Sequence, residues 1–549
     1  MTLGSWVMGR AARLPKATAT DVAVERDLEA TMPDGAVLLA DRWYAPGAAG
    51  DDRLDPIVLI RTPYGRRQLG LFGRLFSERG YQVVIQSCRG TFGSGGSAFD
   101  PFHHEQADGR ATLEWLAGRP WFTGSVGTFG ASYMGLTQWA VAADPPPWLK
   151  AMALQITTAR VRDIVYPGGT FALETGATWV SQLVNQEQPP GRLVWSILAG
   201  RRRMARAYTT VPLSEADVRA LGRRIPFYQD WLDHHGADDP WWEPLDWSSH
   251  VEATPPASLV GGWYDLFLPG QLEDYRRLRR AGRRARLTIG PWTHMSARGG
   301  AASLRDGLEW FDVHLRDGAV PGGRGPGGSV RLFVMGSRRW VQIPDWPPPH
   351  DPQRYYLRPD GGLSPEPAPG GRPDRYRYDP AHPAPGLGGP SLDPFRSGKR
   401  EQRRRESRPD VLTYTGAPLG EDLTVAGPVN AEVWVRGNRP SFDVFVRLCD
   451  VKASGKSHNV CDGIVRIEEP AGAPDGCHRV RVPLWPTAYT FRAGHRVRVQ
   501  VSSAAHPLYA RNPGTGEPLG TAATLHPGEL EVFHDGEHPS GIDLPVSPV

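Results

Sequence analysis

The feature that most constrains the fold is a series of short apolar runs separated by segments of helical character. The first four runs are PIVLI (56–60), YQVVIQ (81–86), GSVGTF (124–129) and KAMALQI (150–156). Between them lie helix-like stretches such as LGLFGRLFSERG and EQADGRATLEWLAGR. Strands that alternate with helices form parallel sheets covered on both faces. The pattern predicts an α/β protein with a doubly wound parallel sheet, and two alternating segments around the turn MPDG predict an antiparallel pair at its edge.

This strand pattern breaks off and later resumes. Residues 157–250 are rich in tryptophan and read as helices, and the further strands PASLVGGW (256–263) and RARLTIG (284–290) come after them. An insertion of this kind divides a domain without ending its sheet. We therefore predict a first domain made of residues 1–156 and 251–330, with residues 157–250 inserted as a helical cap.

The C-terminal part of the chain has a different pattern. Short strands such as VRLFVMG, AEVWVRG, FDVFVRLCDV and HRVRVQVSS follow one another between turns rich in proline and glycine. Regular short strands without helices between them are typical of sandwiches and jelly rolls. Residues 331–549 are predicted to form a β jelly-roll domain, with a long irregular surface loop over residues 359–408.

Charge and cysteine content exclude several classes of function. With 63 basic and 59 acidic side chains the formal net charge is +4, too small a field to attract nucleic acid or a membrane surface. The four cysteines include no C-x-x-C pair and have no histidine at zinc-ligand spacing, so no metal site is expected. Without a signal segment or a long apolar run, the sequence predicts a cytoplasmic protein that acts on a small molecule.

The segment TFGASYMG contains the main candidate nucleophile, Ser132. It follows an apolar strand and precedes the helix-like YMGLTQWAVAA, as the serine of a nucleophile elbow does in the α/β-hydrolase fold. Small neighbours keep the hydroxyl of such a serine accessible, and Gly130 fits that requirement. Met134 occupies the usual second glycine position and Gly135 follows it. G-x-S-x-x-G strings also occur in ordinary turns, so the assignment of Ser132 as a nucleophile depends on the motifs in the rest of the chain.

A serine of this kind needs a histidine base and a carboxylate that orients the histidine. Asp265 follows the strand SLVGGW, and His294 follows the strand RLTIG, in the chain order Ser, Asp, His of this fold. Both would emerge at the carboxyl end of the sheet, beside Ser132. Alternative roles remain open at this point, a helix cap for Asp265 and a loop histidine for His294. The competing candidates lie in helix-like segments: His103, His104, His314, Asp274 and Asp312.

Two groups are candidates for binding the oxyanion of the tetrahedral intermediate. One is the backbone N–H of Tyr133, the residue after the nucleophile. The loop after PIVLIR reads TPYGRR and has no glycine-rich segment, so a side-chain donor is expected there, and Tyr64 is the available hydroxyl. From the residues alone, Tyr64 is equally explained as a packed loop aromatic.

The sequence resembles the CocE/NonD hydrolases, which include cocaine esterase, α-amino acid ester hydrolases and X-Pro dipeptidyl-peptidases. The resemblance covers nearly the whole chain and rests on RTPYG, QSCRGTFGSGGSAFDPF, GASYMG, GGWYDLF, GPWTH, LTYTGAPLGEDLTVAGPV and FRAGHRVRVQVSSAAHPLYARNP. It implies a triad of Ser132, Asp265 and His294, an oxyanion hole that includes Tyr64, a helical cap and a C-terminal jelly roll. One departure is QSCRG, where Ser87 and Cys88 stand in place of an aspartate that many members carry.

From the resemblance we expect a serine hydrolase that cleaves carboxylic esters through an acyl-enzyme and needs no cofactor. X-Pro dipeptidyl-peptidase activity, α-amino acid ester hydrolysis, acyl transfer and a catalytically silent binding protein are the alternatives, and a homo-oligomer is possible. A free α-amino group in the substrate would need acidic partners in the pocket, for which the candidates are Glu174, Glu187, Asp230 and Asp233. Five cap tryptophans suggest an apolar pocket, namely Trp179, Trp195, Trp231, Trp241 and Trp242.

Overall fold

The structure, a computed structural model, describes residues 2–46, 55–187, 200, 202–316, 330–468 and 476–549. The chain begins with helix α1 (Leu3–Ala11), and the first half continues with the strands β1 (Ala23–Thr31), β2 (Val37–Tyr44), β3 (Ile57–Thr62), β4 (Gln82–Ser87), β5 (Val126–Ala131) and β6 (Leu149–Gln155). Between the later strands lie the helices α2 (Gly70–Ser77), α3 (Glu105–Ala117) and α4 (Tyr133–Ala142). All six residues of β3 and of β4 are buried, as strands covered on both faces require.

After the insertion the same sheet continues with β7 (Ala257–Tyr264), α9 (Leu268–Arg280), β8 (Ala285–Thr293), α10 (Ala297–Leu315), β9 (Val330–Val334) and β10 (Arg339–Ile343). The ten strands are ordered β1-β2-β4-β3-β5-β6-β7-β8-β9-β10. Neighbours from β4 through β9 pair in parallel, and β1, β2 and β10 add antiparallel edges. The predicted doubly wound sheet is confirmed.

In its described residues the inserted segment consists of short helices joined by turns and loops. Its helices are α5 (Arg162–Val165), α6 (Leu173–Asn185), α7 (Ala216–Leu221) and α8 (Pro226–Asp233), with residues 202–208 also helical and 3-10 turns at Pro240–Leu245 and Ser248–Ala253. Residues 188–199 and 201 lie outside the described part, and Trp195 is among them. Four residues of α6 line the cavity that also contains Ser132, namely Thr175, Gly176, Trp179 and Gln182.

The remaining strands form a second, eleven-stranded sheet. They are β11 (Asp351–Arg358), β12 (Gly362–Ser364), β13 (Asp374–Tyr378), β14 (Leu412–Gly416), β15 (Leu423–Gly437), β16 (Ser441–Val451), β17 (Ser457–Glu468), β18 (His478–Phe491), β19 (Arg496–Ser502), β20 (Gly528–Phe533) and β21 (Gly541–Val546). One short helix, α11 (Arg403–Glu406), interrupts them. The predicted C-terminal β domain is confirmed. Among the described helices, none combines the length and the apolar character needed to cross a bilayer.

Two sequence expectations need correction. The segment VRLFVMG was assigned to the β domain, but its strand β9 pairs in parallel with β8 and, with β10, completes the first sheet. Alternation along one strand does not reveal which sheet the strand joins, and the strands of the first sheet continue past residue 331 to Ile343. Residues 359–408 are also less irregular than predicted. They contain β12, β13 and α11, and β13 pairs with β20, more than a hundred residues away.

Candidate active site

Ser132 lies in a sharp turn between β5 and α4. Its backbone has φ 59° and ψ −124°, a strained conformation for a residue with a side chain, as in a nucleophile elbow. A Cβ atom at Gly130 would overlap the Cβ of Met134, and one at Gly135 would overlap Thr157. Glycine at 135 thus permits the close approach of α4 to the chain after β6. In this elbow the second glycine is therefore needed at position 135, and position 134, where it more usually lies, can hold methionine.

The three predicted triad residues meet at the carboxyl end of the first sheet. Asp265 comes directly after β7, and His294 comes directly after β8. The Nδ1 atom of His294 lies 2.9 Å from Oδ2 of Asp265, and its Nε2 atom lies 3.2 Å from Oγ of Ser132. Asp265 is fully buried and also accepts a 2.9 Å hydrogen bond from the backbone N–H of Phe267. This arrangement fits a His294 that donates from Nδ1 to Asp265 and accepts at Nε2.

The competing candidates are engaged elsewhere in the fold. His103 packs edge-on against Trp241, and His314 packs against Trp310, where burial lowers its pKa to about 4. Asp312 accepts a 2.6 Å hydrogen bond from the hydroxyl of Tyr81. His104 is the residue that precedes α3. The geometry therefore favours Asp265 and His294 as the partners of Ser132.

Asp274, the remaining competitor, has a structural role with a measurable consequence. It is buried on α9, where its carboxylate accepts a 2.8 Å hydrogen bond from the N–H of Ala159, and burial raises its pKa to about 7. A carboxyl whose pKa rises on folding stabilises the folded state only while it is protonated. Its contribution to the free energy of unfolding is therefore lost as the pH rises from about 4 to about 7.

We expect Asp274→Asn to flatten this pH dependence, because an asparagine oxygen can still accept from Ala159 but carries no charge. Between pH 5 and pH 8, the Asp274 carboxyl should cost wild type on the order of 3 kcal/mol of unfolding free energy, a loss that the variant does not share. Guanidinium unfolding of both proteins at the two pH values measures the change. Wild-type and variant curves that stay parallel across this range would contradict the assignment.

Both candidate oxyanion donors face the same space beside Ser132. Tyr133 is the first residue of α4, so its backbone N–H has no partner within the helix. The hydroxyl oxygen of Tyr64 accepts a 3.0 Å hydrogen bond from the indole N–H of Trp179 on α6. Burial raises the pKa of Tyr64 to about 12, although hydrogen bonds with Trp179 and Ser132 partly oppose this rise. Tyr64 therefore remains a protonated donor at neutral pH.

A buried network behind the nucleophile was not anticipated from the sequence. The hydroxyl of Tyr133 donates to Glu105 at 2.8 Å and accepts from the backbone N–H of Phe102 at 2.9 Å. Glu105 also forms a buried ion pair with Arg61, with 2.8 Å between the charged atoms. Arg61 lies in the motif RTPYG and Glu105 in the motif EQADG, but no local sequence pattern indicates that residues 44 positions apart form a pair. The network therefore fixes the side chain of Tyr133, the residue whose backbone N–H lies at the nucleophile elbow.

The loop that departs from the family pattern is held by other charges. Ser87 accepts a hydrogen bond from Arg66, and Arg89 pairs with Asp108 at 2.6 Å and with Asp34 at 2.6 Å. Cys88 is fully buried, and burial raises the pKa of its thiol, so it is a packed residue and not a nucleophile. These contacts therefore anchor the loop although it lacks the aspartate.

A cavity of about 300 Å³ opens onto Ser132 and His294. Its walls are mainly apolar and come from the elbow, the cap and the loop after β7, including Phe102, Ile156, Val161, Phe171, Trp179, Trp231, Leu266, Phe267 and Met295. Apart from the candidate catalytic groups, the polar side chains in the lining are Thr175 and Gln182. Within the described residues, neither an aspartate nor a glutamate lines this cavity. The described part of the lining is therefore uncharged and largely apolar.

The acidic candidates of the cap point elsewhere. Glu174 is buried and accepts hydrogen bonds from the backbone N–H groups of Leu392 and Asp393, so it anchors the cap to the C-terminal domain. Glu187 accepts a hydrogen bond from the N–H of Phe92. Asp230 and Asp233 belong to α8 but do not contribute to the lining of the cavity. None of the four is placed to bind a substrate ammonium group.

The cap tryptophans divide into two groups. Trp179 and Trp231 line the cavity and stack on each other with ring centroids 6.0 Å apart. Trp241 instead stacks on His234, and Trp242 donates a 2.7 Å hydrogen bond to the carbonyl of His234. Trp195 lies outside the described residues. Of the five candidate tryptophans, four are described, and two of these four line the cavity.

Similarity to known proteins extends over nearly the whole chain. Residues 34–296 match the family model described as X-Pro dipeptidyl-peptidase (S15 family), and residues 326–543 match the model of the X-Pro dipeptidyl-peptidase C-terminal non-catalytic domain. The cocaine esterase of Rhodococcus sp. (strain MB1 Bresler) is 32% identical, over 95% of this chain and 98% of its own.

Two solved structures share the fold over nearly their whole length. An aminopeptidase from the marine sediment archaeon Thaumarchaeota archaeon has a TM-score of 0.81 at 24% identity, covering 97% of each chain. An α-amino acid ester hydrolase has a TM-score of 0.80 at 24% identity, covering 97% of this chain and 98% of its own. Taken with the cocaine esterase match, these similarities show that this chain belongs to the CocE/NonD family and is a serine hydrolase of the ester or peptide type.

Proposed function

We propose that the protein hydrolyses carboxylic esters through an acyl-enzyme on Ser132. The observation that carries the proposal is the continuous chain of hydrogen bonds from Asp265 through His294 to Ser132, at 2.9 Å and 3.2 Å, beside an apolar cavity. In this arrangement the histidine accepts the serine proton as the hydroxyl attacks a carbonyl carbon.

The proposed reaction has two halves. In the first, Ser132 Oγ bonds to the carbonyl carbon, its proton passes to Nε2 of His294, and the oxyanion is bound by the Tyr133 N–H and the Tyr64 hydroxyl. The protonated His294 then gives its proton to the departing alcohol as the ester bond breaks. In the second half, water donates a proton to His294 and attacks the acyl-enzyme, and the acid leaves as Ser132 regains its proton. Asp265 stabilises the imidazolium in both halves.

The lining of the cavity supports an ester with an uncharged acyl group. A substrate ammonium would lose its hydration in this space, and the described lining residues offer it no carboxylate partner. An unpaired buried charge is strongly destabilising. Thr175 and Gln182 can accept hydrogen bonds but carry no charge. This composition disfavours substrates with a free α-amino group, including the dipeptides released by X-Pro dipeptidyl-peptidases.

We expect p-nitrophenyl butyrate to be hydrolysed with a kcat/KM at least about 100-fold higher than Gly-Pro-p-nitroanilide or an α-aminoacyl p-nitrophenyl ester, since an unpaired buried charge costs about 3 kcal/mol or more. Initial rates on the three substrates, with electrospray detection of the acylated protein, test this. A preference for either amino substrate would contradict the ester assignment. Formation of amides when an amine competes with water would instead identify acyl transfer.

A further inference from the structure

Helix α6 of the cap contacts the loop that carries the oxyanion donor Tyr64. On α6, the indole N–H of Trp179 donates to the hydroxyl oxygen of Tyr64 at 3.0 Å. Just beyond the end of the helix, the side-chain amide of Gln186 donates to the carbonyl of Pro63 at 2.8 Å. Two hydrogen bonds therefore join α6 to the TPYG loop, which otherwise belongs to the first sheet. The position of Tyr64 depends on the cap.

The direction of the Trp179 hydrogen bond determines what Tyr64 can do. An indole N–H can only donate, whereas a tyrosine hydroxyl has one proton to donate and lone pairs to accept. Because the Tyr64 oxygen accepts from Trp179, its own proton is free to point into the cavity that Tyr64 and Ser132 both line. A hydroxyl that already accepts one hydrogen bond is also a stronger donor in the next.

Trp179 is itself held rigidly. Its indole stacks on Phe102 with centroids 5.8 Å apart and planes inclined by 11°, and on Trp231 at 6.0 Å and 16°. Phe102 stacks in turn on Tyr133, at 4.9 Å and 24°. The stack Tyr133, Phe102, Trp179 and Trp231 thus runs from the nucleophile elbow into the cap. Both oxyanion donors, the Tyr133 amide and the Tyr64 hydroxyl, are attached to it.

We propose that Trp179 is a positioning residue of the oxyanion hole: its indole N–H holds the Tyr64 oxygen so that the hydroxyl proton faces the oxyanion formed at Ser132. The oxyanion hole is complete only when the cap is in place. This inference rests on the proposed ester hydrolysis and adds to it a role for the cap beyond enclosing the substrate.

The test is a double-mutant cycle on p-nitrophenyl acetate, whose small acyl group makes few contacts with the cavity. Tyr64→Phe should lower kcat by about 10²- to 10³-fold, as the loss of an oxyanion donor does. Trp179→Phe keeps an aromatic ring in the stack but removes the N–H, and we expect it to lower kcat about 3- to 10-fold with KM changed less than about 2-fold. In the Tyr64→Phe background, the same substitution should have almost no effect on kcat.

Trp242→Phe is the matched control. Trp242 is also a buried cap tryptophan, and its N–H donates to the carbonyl of His234 at 2.7 Å, but it is not part of the cavity lining. This variant should stay within about 2-fold of wild type in kcat. Gln186→Leu serves as a second probe, because it removes the bond to Pro63 without altering the stack. We expect it to lower kcat by about 2- to 5-fold, again only when Tyr64 is present.

The possible results separate the inference from the function on which it rests. Equal losses from Trp179→Phe in both backgrounds, a loss matched by Trp242→Phe, or a change confined to KM would overturn the positioning role and leave ester hydrolysis intact. An unchanged kcat in Tyr64→Phe would remove Tyr64 from the oxyanion hole, and the role of Trp179 with it. A wild-type protein inactive on all esters would overturn the proposed function first.

Discussion

Ser132→Ala is expected to abolish ester hydrolysis, lowering kcat by about 10⁴- to 10⁶-fold and leaving only the residual catalysis of binding and the oxyanion donors. The physical reason is that no acyl-enzyme can form without the hydroxyl that lies 3.2 Å from His294. Release of p-nitrophenol from p-nitrophenyl butyrate measures the rate. Electrospray mass spectra of the quenched reaction should show an acyl adduct on wild type and none on the variant.

Ser303→Ala is the matched control for this substitution. Ser303 is also buried, but it lies on α10, where its hydroxyl donates to the carbonyl of Gly299 at 3.0 Å. Its loss should leave kcat within about 2-fold of wild type. If Ser132→Ala retained wild-type turnover while folding normally by circular dichroism, a serine nucleophile at this position would be ruled out.

Asp265→Asn is expected to lower kcat by about 10⁴-fold with little change in KM. The Oδ1 atom of Asp265 accepts from the N–H of Phe267, and an asparagine oxygen can keep that bond. Its NH₂ group would then face Nδ1 of His294, which now has to accept. The imidazole proton therefore moves to Nε2, and the histidine can no longer take the proton of Ser132.

The control for this prediction is Asp274→Asn, which removes a buried carboxylate nine residues along the chain that does not contact His294. Its effect should fall on stability and leave kcat near the wild-type value. A pH–rate profile adds a second measurement, because Asp265→Asn should regain activity at high pH, where hydroxide can replace the missing base. A small loss in Asp265→Asn, comparable with that of Asp274→Asn, would show that another group orients His294.

The first sheet and the triad positions could be predicted because their signals are local. The apolar runs of β3 to β8 have the length and flanking segments of buried strands, and all of them occur in the structure. Ser132, Asp265 and His294 each directly follow such a strand. The carboxyl ends of neighbouring parallel strands meet at one edge of the sheet, so strand order alone brings residues 162 positions apart together.

Other features depended on which surfaces pack together. The strand of VRLFVMG joined the first sheet because a free edge beside β8 was available, and nothing within the strand specifies that edge. The acidic residues of the cap could be identified from sequence, but not the direction of their side chains. Glu174 holds the cap to the C-terminal domain, and no carboxylate is among the described residues that line the cavity.

The sequence by itself determined the order of strands and helices, the strained turn at Ser132 and the residues that follow each strand, because these depend on periodicity and on short motifs. Only the tertiary structure decided the partners of those residues. Trp179 donates to Tyr64 across 115 positions, and Glu105, which is paired with Arg61, accepts a hydrogen bond from the hydroxyl of Tyr133. Such contacts form when the cap and the sheet exclude water from one shared space, a condition that no local segment of sequence expresses.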